Sequence, residues 1–114
     1  MQYALLIYSE PGEPEDLDAV VAAYNEFTSN VQSEGIMVAG EAPHPVETAT
    51  TVRVRDGAAT HTDGPFAETK EVFGGFYIVD VPDLDAAIAV AERLPGSWWG
   101  SVEVRPILDF NQAQ

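Results

Sequence analysis

The sequence predicts an α+β fold: a ferredoxin-like sandwich with an antiparallel sheet, two helices on one face and an inserted β-hairpin. Three observations predict it. Runs rich in β-formers recur as 3-YALLIYS-9, 36-IMVAGEA-42, 72-VFGGFYIVDV-81 and 101-SVEVRPIL-108. Apolar residues recur at helical spacing in two stretches, one after the first strand and one after the aromatic strand. Asp56-Gly57 sits between two alternating runs, the strongest short-range hairpin signal a sequence offers. The resulting order is βαβ, hairpin, βαβ.

Residues 3–9 are apolar on both faces, as a central strand requires. The segment 10-EPGEPED-16 stops that strand and gathers acids where a helix N-terminus favours negative charge. Leu17, Val20, Val21, Tyr24, Phe27 and Val31 then form one helical stripe, opposite Asp18, Asn25, Ser29 and Gln32, with Gly35 as the stop. A strand over 36–42 leads into the Pro-rich connector 43-PHPVETA-49. The hairpin 50-TTVRVRDGAATHT-62 follows. In the strand 72–81, the pair Gly74-Gly75 marks a bulge or a close backbone approach. Asp83 is placed to cap a second helix whose apolar face is Leu84, Ala87, Ile88, Ala91 and Leu94, with Pro95-Gly96 ending it. In the closing strand Pro106 cannot donate to a ladder, so it belongs at an edge or a strand end.

At 114 residues the chain fits one domain, residues 1–114, and 46% apolar composition is that of a globular protein. Five Lys+Arg against 19 Asp+Glu give a formal net charge of −14, a field that repels phosphate backbones and argues against nucleic-acid binding. With no Cys, disulfides and thiol nucleophiles are excluded. The first residues carry no basic region, and their apolar run is too short for a signal segment or a membrane span, so cytoplasmic residence is the expectation. Two helices cover one sheet face only, yet 3-YALLIY-8 and 76-FYIVDV-81 are apolar on both. A homodimer packed sheet against sheet is therefore expected.

The run DGPFAETKEVFGGFYIVDVPDLDAAIAVAERLP and the later GSVEVRPI closely resemble the YCII-related family, in its DGPF-domain subfamily. The opening MQYALLIYSEPGE and the central GEAPHPVETATTVRVRDG match as well, so the resemblance covers nearly the whole chain. It implies a dimeric α+β barrel, an architecture shared with muconolactone isomerase-like enzymes and small monooxygenases. The wider family is suspected of enzymatic function because a His and an Asp recur in it. Members of the subfamily occur beside extracytoplasmic-function sigma factors, which implies a sigma factor as a candidate protein partner. The family's Asp falls on Asp63, followed by Gly64, Pro65 and Phe66. Its His lies in the first helix, where this chain reads 22-AAYNEFTSN-30 and has none.

Asp63-Gly64-Pro65 reads structurally as a turn in which the carboxylate accepts backbone N–H bonds and Gly64 takes a positive φ. Read functionally, Asp63 is a general base or ligand anchor whose pKa Phe66 would raise by desolvation. His61 lies two residues before Asp63 and shares its strand face if the strand continues that far, so it can replace the missing helix histidine. Glu68 and Lys70, the single lysine, are the remaining catalytic candidates, whereas Glu71 reads as a solvated turn residue. Arg53 and Arg55 share a sheet face and can grip an anion or pair with strand acids such as Glu103. His44 reads as a loop residue. Trp98-Trp99 are costly to expose and fit a core end or a dimer seam. No cofactor or metal is expected, since two scattered His without Cys do not make a metal site. Two functions fit these residues. One is a small-molecule-binding barrel with acid–base chemistry centred on Asp63. The other is a non-catalytic interaction module whose acidic surface docks on a basic protein.

Overall fold

In a computed structural model that describes residues 1–10, 16–65 and 70–110, strand β1 (Gln2–Ser9) is the inner strand on which the rest assembles. Helix α1 (Leu17–Ser33) and strand β2 (Met37–Glu41) follow. Strands β3 (Thr50–Arg55) and β4 (Ala58–Asp63) form the hairpin. Strand β5 (Val72–Asp80), helix α2 (Leu84–Arg93), a one-turn helix α3 (Gly96–Trp99) and strand β6 (Ser101–Pro106) complete the chain. The main sheet has the order β2-β5-β1-β6 with every pair antiparallel, the ferredoxin-like arrangement the sequence predicts.

Strand alternation divides the sheet. Tyr3, Leu5 and Ile7 of β1 and Val79 of β5 face the helices and are buried against Phe27 and Val31 of α1 and Ala87, Val90 and Ala91 of α2. Leu5, Val31, Val79 and Leu94 are wholly buried, and each such side chain contributes about 1.5–3 kcal/mol relative to exposure. Both helices start on aspartate caps: Asp16 accepts from Ala19 N–H at 3.0 Å and Asp83 from Ala86 N–H at 2.9 Å. Arg93, in the last turn of α2, clamps the Glu34 carboxylate with bonds of 3.0 and 2.6 Å. That hydrogen bonding holds the Glu34 carboxyl below its usual range.

The hairpin turns on Asp56 (φ 53) and Gly57 (φ 79), both left-handed, which matches the right-handed twist of its strands. It forms a separate two-stranded sheet beside the main one. The radius of gyration is 16.3 Å, where a compact domain of this length has about 13 Å. The extents are 47 × 46 × 20 Å, so the subunit is flat. Pro106 ends the edge strand β6, and the register skips Gly74 opposite Ile7 and Tyr8, forming a bulge.

Three details differ from the sequence reading. The stripe of α1 is unevenly used: Phe27 and Val31 are buried, while Leu17 and Val21 remain about half exposed because the helix packs by its C-terminal half. The Pro-rich connector holds a short 3-10 turn (Val46–Thr48); α2 ends at Arg93 ahead of Pro95-Gly96, as the sequence reading has it, and α3 opens there. Trp98 and Trp99 do not cover a core end, the first of their two expected places, and are 60% and 53% exposed. They stack edge to face on each other, and the Trp98 indole donates to the Glu92 carbonyl. Most of 10-EPGEPED-16 lies outside the described residues.

Gly96 is fixed by space. A Cβ there would lie 2.7 Å from both Ile7 Cγ2 and the Tyr24 hydroxyl. Gly96→Ala is expected to destabilise the fold by about 1–3 kcal/mol, read as a lower midpoint in urea unfolding. An unchanged midpoint would mean that Tyr24 moves aside at no cost.

A candidate binding cleft between the first helix and the sheet edge

The cleft is built where α1 meets the β2–β5 edge. Tyr24 and Thr28 stand one turn apart on α1 and therefore share a face. Tyr77 rises from β5, and its hydroxyl lies 2.8 Å from Thr28 Oγ1. Gly40, paired with Tyr77 across the strands, leaves room for the ring: a Cβ there would lie 3.0 Å from Tyr77 Cδ1 and 2.9 Å from Met37 Cε. The Tyr77 ring also meets Phe27 edge to face, with centroids 5.1 Å apart, so two contacts fix its direction.

The bulge shapes the floor. Gly75 approaches the end of β2 so closely that a Cβ would lie 3.0 Å from the Glu41 carbonyl oxygen. The glycine pair therefore provides both the bulge and the close backbone approach. The cleft encloses about 430 Å³. Ile7 and Met37 supply its apolar walls and Ser9 and the three hydroxyl side chains its polar groups, while Glu41 and Phe76, paired one position beyond Gly40 and Tyr77, border it at the strand edge. Burial pushes the Tyr24 phenol up to about 12, the nearby Tyr77 adds to the rise, and a backbone hydrogen bond with Gly96 opposes it. Tyr24 thus remains a protonated donor throughout the neutral range.

The sequence-derived candidates lie elsewhere. His61 and Asp63 both belong to β4, which continues through Asp63, so they share one strand face with Thr50, Val52 and Val54. Both are exposed, and neither lines this cleft. The DG turn is anchored by backbone and hydroxyl groups. Gly64 N–H donates to the Ala49 carbonyl at 2.7 Å, and Thr51 Oγ1 donates to the Gly64 carbonyl at 2.8 Å. Gly64 takes φ 100, the positive value its place in the motif implies.

Lys70 sits on a second, wide-open depression of about 710 Å³ with Tyr8, Glu10, Glu71, Ser101 and Glu103. Its ammonium is 3.8 Å from the Glu10 carboxylate, and both side chains are largely exposed, so the pair is worth at most about 1 kcal/mol. Glu68 and Phe66 lie outside the described residues, and with them the desolvation expected of Phe66 at Asp63. Arg105 approaches Glu103 at 3.8 Å, but Arg53 and Arg55 have no acid within 4 Å among the described residues. Among the described residues no three His, Asp or Glu side chains converge on a point that would hold a metal ion.

Sequence reasoning missed Tyr24, Thr28 and Tyr77 as cleft residues. A signal was present: Thr28 follows Tyr24 by one turn along the inward stripe, and a tyrosine follows the paired glycines by two residues.

A flat ferredoxin-like α+β subunit with a cleft under its first helix defines the structural class. The family model of the YCII-related domain matches residues 1–111, and the chain belongs to that family. An uncharacterized protein of Rhizobium meliloti (strain 1021) is 45% identical over 65 residues, which is 55% of this chain and 52% of that relative. The chain thus spans about half the length of the curated relative it matches. Among the described residues no helix is long and apolar enough to cross a membrane.

The Tyr24 phenol supplies a check on the cleft's packing. Its pKa in the fold exceeds that of an exposed tyrosine, so folding stability falls as pH rises from about 10 through about 12, where the unfolded chain ionises first. Ultraviolet titration is expected to show a late-ionising phenol that Tyr24→Phe removes. A late-ionising component that is absent, or that survives in Tyr24→Phe, would contradict the burial described.

Proposed function

We propose that the protein binds a small organic molecule in the cleft between α1 and the β2–β5 edge. One observation carries the reading: an apolar-walled space of about 430 Å³ into which the hydroxyls of Tyr24, Thr28 and Tyr77 converge. That size is within the range of small-molecule sites, and a few polar groups set in apolar walls are how such sites orient a ligand. Tyr24 stays protonated at neutral pH, so it acts there as a hydrogen-bond donor. Acid–base chemistry centred on Asp63 is a separate reading, favoured by one arrangement. His61 and Asp63 stand side by side on one face of β4, as a base and its orienting partner would.

Thermal unfolding against a diverse set of small metabolites separates the two, because ligands of the native state raise its midpoint by mass action. Compounds that stabilise the wild type are expected to lose about tenfold or more in affinity with Tyr77→Phe, which keeps the ring and removes the hydroxyl, and to keep it with Asp63→Asn. Loss in Asp63→Asn alone would move the site to the hairpin.

The same reading includes a homodimer. Leu6, Phe76 and Ile78 point away from the helices. Phe73 and Val38 are 39% and 52% exposed, and Tyr8 stacks on Phe73 edge to face. Val52 and Val54 on the hairpin are also more than half exposed. An apolar face of this extent is met by a like face of a second copy, sheets packing about 10 Å apart. Arg53 and Arg55, with no acid within 4 Å among the described residues, give an acidic partner surface something to meet. Light scattering is expected to return twice 12.3 kDa, and Leu6→Glu to return a folded monomer. A wild-type monomer at micromolar concentration would remove the dimer and leave the cleft reading intact.

A further inference from the structure

One flank of α2 and the helix α3 that follows it form an exposed apolar strip that the cleft does not use. On α2 the inner residues Ala87, Val90 and Ala91 are buried in the core. Leu84 and Ile88, which the sequence places in the same apolar stripe, stay 47% and 40% exposed. They stand one turn apart and share a face, and Glu92 continues that line by a further turn. There the Trp98 indole donates to the Glu92 carbonyl at 3.1 Å, which ties the first tryptophan to the C-terminal end of α2. Trp99 stands against it edge to face, with centroids 5.9 Å apart, and both rings are more than half exposed. The turn that carries them is fixed in place. Gly96 has no room for a Cβ beside Ile7 and Tyr24, and Gly100 N–H donates to the Gly96 carbonyl at 2.9 Å. The strip is also acidic. Asp85 and Glu92 are exposed along it, and neither has a base within 4 Å among the described residues. The adjacent Arg93 is held by Glu34.

We propose that this strip docks a basic, amphipathic segment of another protein. Its apolar residues meet Leu84, Ile88 and the two indoles, and its lysines or arginines meet Asp85, Glu92 and the open ring faces. Charge selects this occupant. A second copy brings the same net charge of −14, and like charges set face to face oppose docking. The strip also lies on the helix side of the sheet, whereas Leu6, Phe76 and Ile78 point from the other side, so sheet-to-sheet pairing of two copies leaves it open. Nucleic acids and anionic lipid surfaces are repelled by the same field. A cation, in contrast, is drawn by that field and gains further from the negative face of an indole. Exposed aromatics anchored by hydrogen bonding and packing are the side chains around which protein contacts gather.

The test titrates the full chain with a peptide of leucine and lysine in helical amphipathic order, about 14 residues long and thus about 20 Å as a helix, and with its leucine–glutamate counterpart. Neither peptide contains tryptophan, and Trp98 and Trp99 are the two of this chain, so their emission reports contact at the strip. The lysine peptide is expected to shift the emission to shorter wavelength and to saturate, with the glutamate peptide at least about tenfold weaker and added salt weakening the first. A cationic peptide is attracted to an acidic chain as a whole, so the place of binding is tested by removing charge. Asp85→Asn with Glu92→Gln is expected to cost about tenfold in affinity. Glu47→Gln with Glu103→Gln, which removes the same charge from the connector and the other sheet face, is expected to cost less than about threefold. Trp99→Ala, which leaves Trp98 as the reporter, is expected to cost about tenfold, and the urea midpoint of each variant checks that it folds. Equal loss in the two double variants would mean that the overall field alone acts, and overturns the site. No shift with the lysine peptide, or equal binding of the glutamate peptide, overturns the basic partner. Undiminished binding in Trp99→Ala overturns the role given to the indoles. If wild-type emission shifts to shorter wavelength on concentration without peptide, and Trp99→Ala lowers the mass in light scattering, a second copy covers the strip and the basic partner is overturned. Tyr77→Phe, which tests the cleft, is expected to leave peptide binding unchanged, so the two sites can fail separately.

Discussion

Everything in the subunit follows from the need to bury the row Tyr3, Leu5 and Ile7 together with Val79 under two helices. These residues line one face of the two inner strands, and five core side chains, Leu5, Val31, Val79, Ala87 and Leu94, reach zero exposure. At about 1.5–3 kcal/mol for each large apolar side chain, the row outweighs any surface contact in the chain. Helix α1 is held to it by Phe27 and Val31, near its C-terminal end. Toward its N-terminus exposure rises, through Tyr24 to Val21 and Leu17. A space beneath the helix is thus a consequence of where its apolar contacts are strongest, and Tyr24 and Thr28 are the residues that face it.

The same constraint explains the glycines around that space. A tyrosine ring projecting from β5 needs a strand partner without a side chain, which Gly40 provides. The end of β2 can close against β5 only where Gly75 has no Cβ. Gly96 performs this service for Tyr24 from the other side, between Ile7 and the phenol. Substituting any one would press on a side chain or strand end of the same region, so their effects on packing should be coupled.

The fold was legible because its signals are local and periodic. The apolar run of β1, the aspartate cap at Asp83, the Asp56-Gly57 turn and the bulge at Gly74-Gly75 each announce themselves within a few residues. The cleft was not, because its members come from α1, β2 and β5 and meet only through strand register. Tyr24 read as one more apolar position of a helical stripe, and nothing in 28-TSN-30 says that a threonine hydroxyl will find a phenol 49 positions later. The DGPF motif drew attention for the opposite reason. It concentrates chemistry-bearing residues in one short stretch, yet the described part of it spends backbone bonds on tying the hairpin root to Ala49 and Thr51.

The charge of the chain and the neutrality of the cleft belong to one argument. A protein carrying −14 cannot hold an anion by its overall field, so any anion site would need basic residues gathered locally. The five available are instead dispersed among the hairpin, the Glu10 side of the sheet, the end of α2 and β6. Hydroxyl groups are the inexpensive alternative for a partly buried wall. A neutral phenol or threonine costs far less to desolvate than a charge, and it recovers that cost with a single hydrogen bond, as Thr28 and Tyr77 do with each other. Their state does not change between acid and mildly alkaline pH, since the Tyr24 phenol is held up near 12. Recognition in such a cleft therefore depends on shape and donor–acceptor direction.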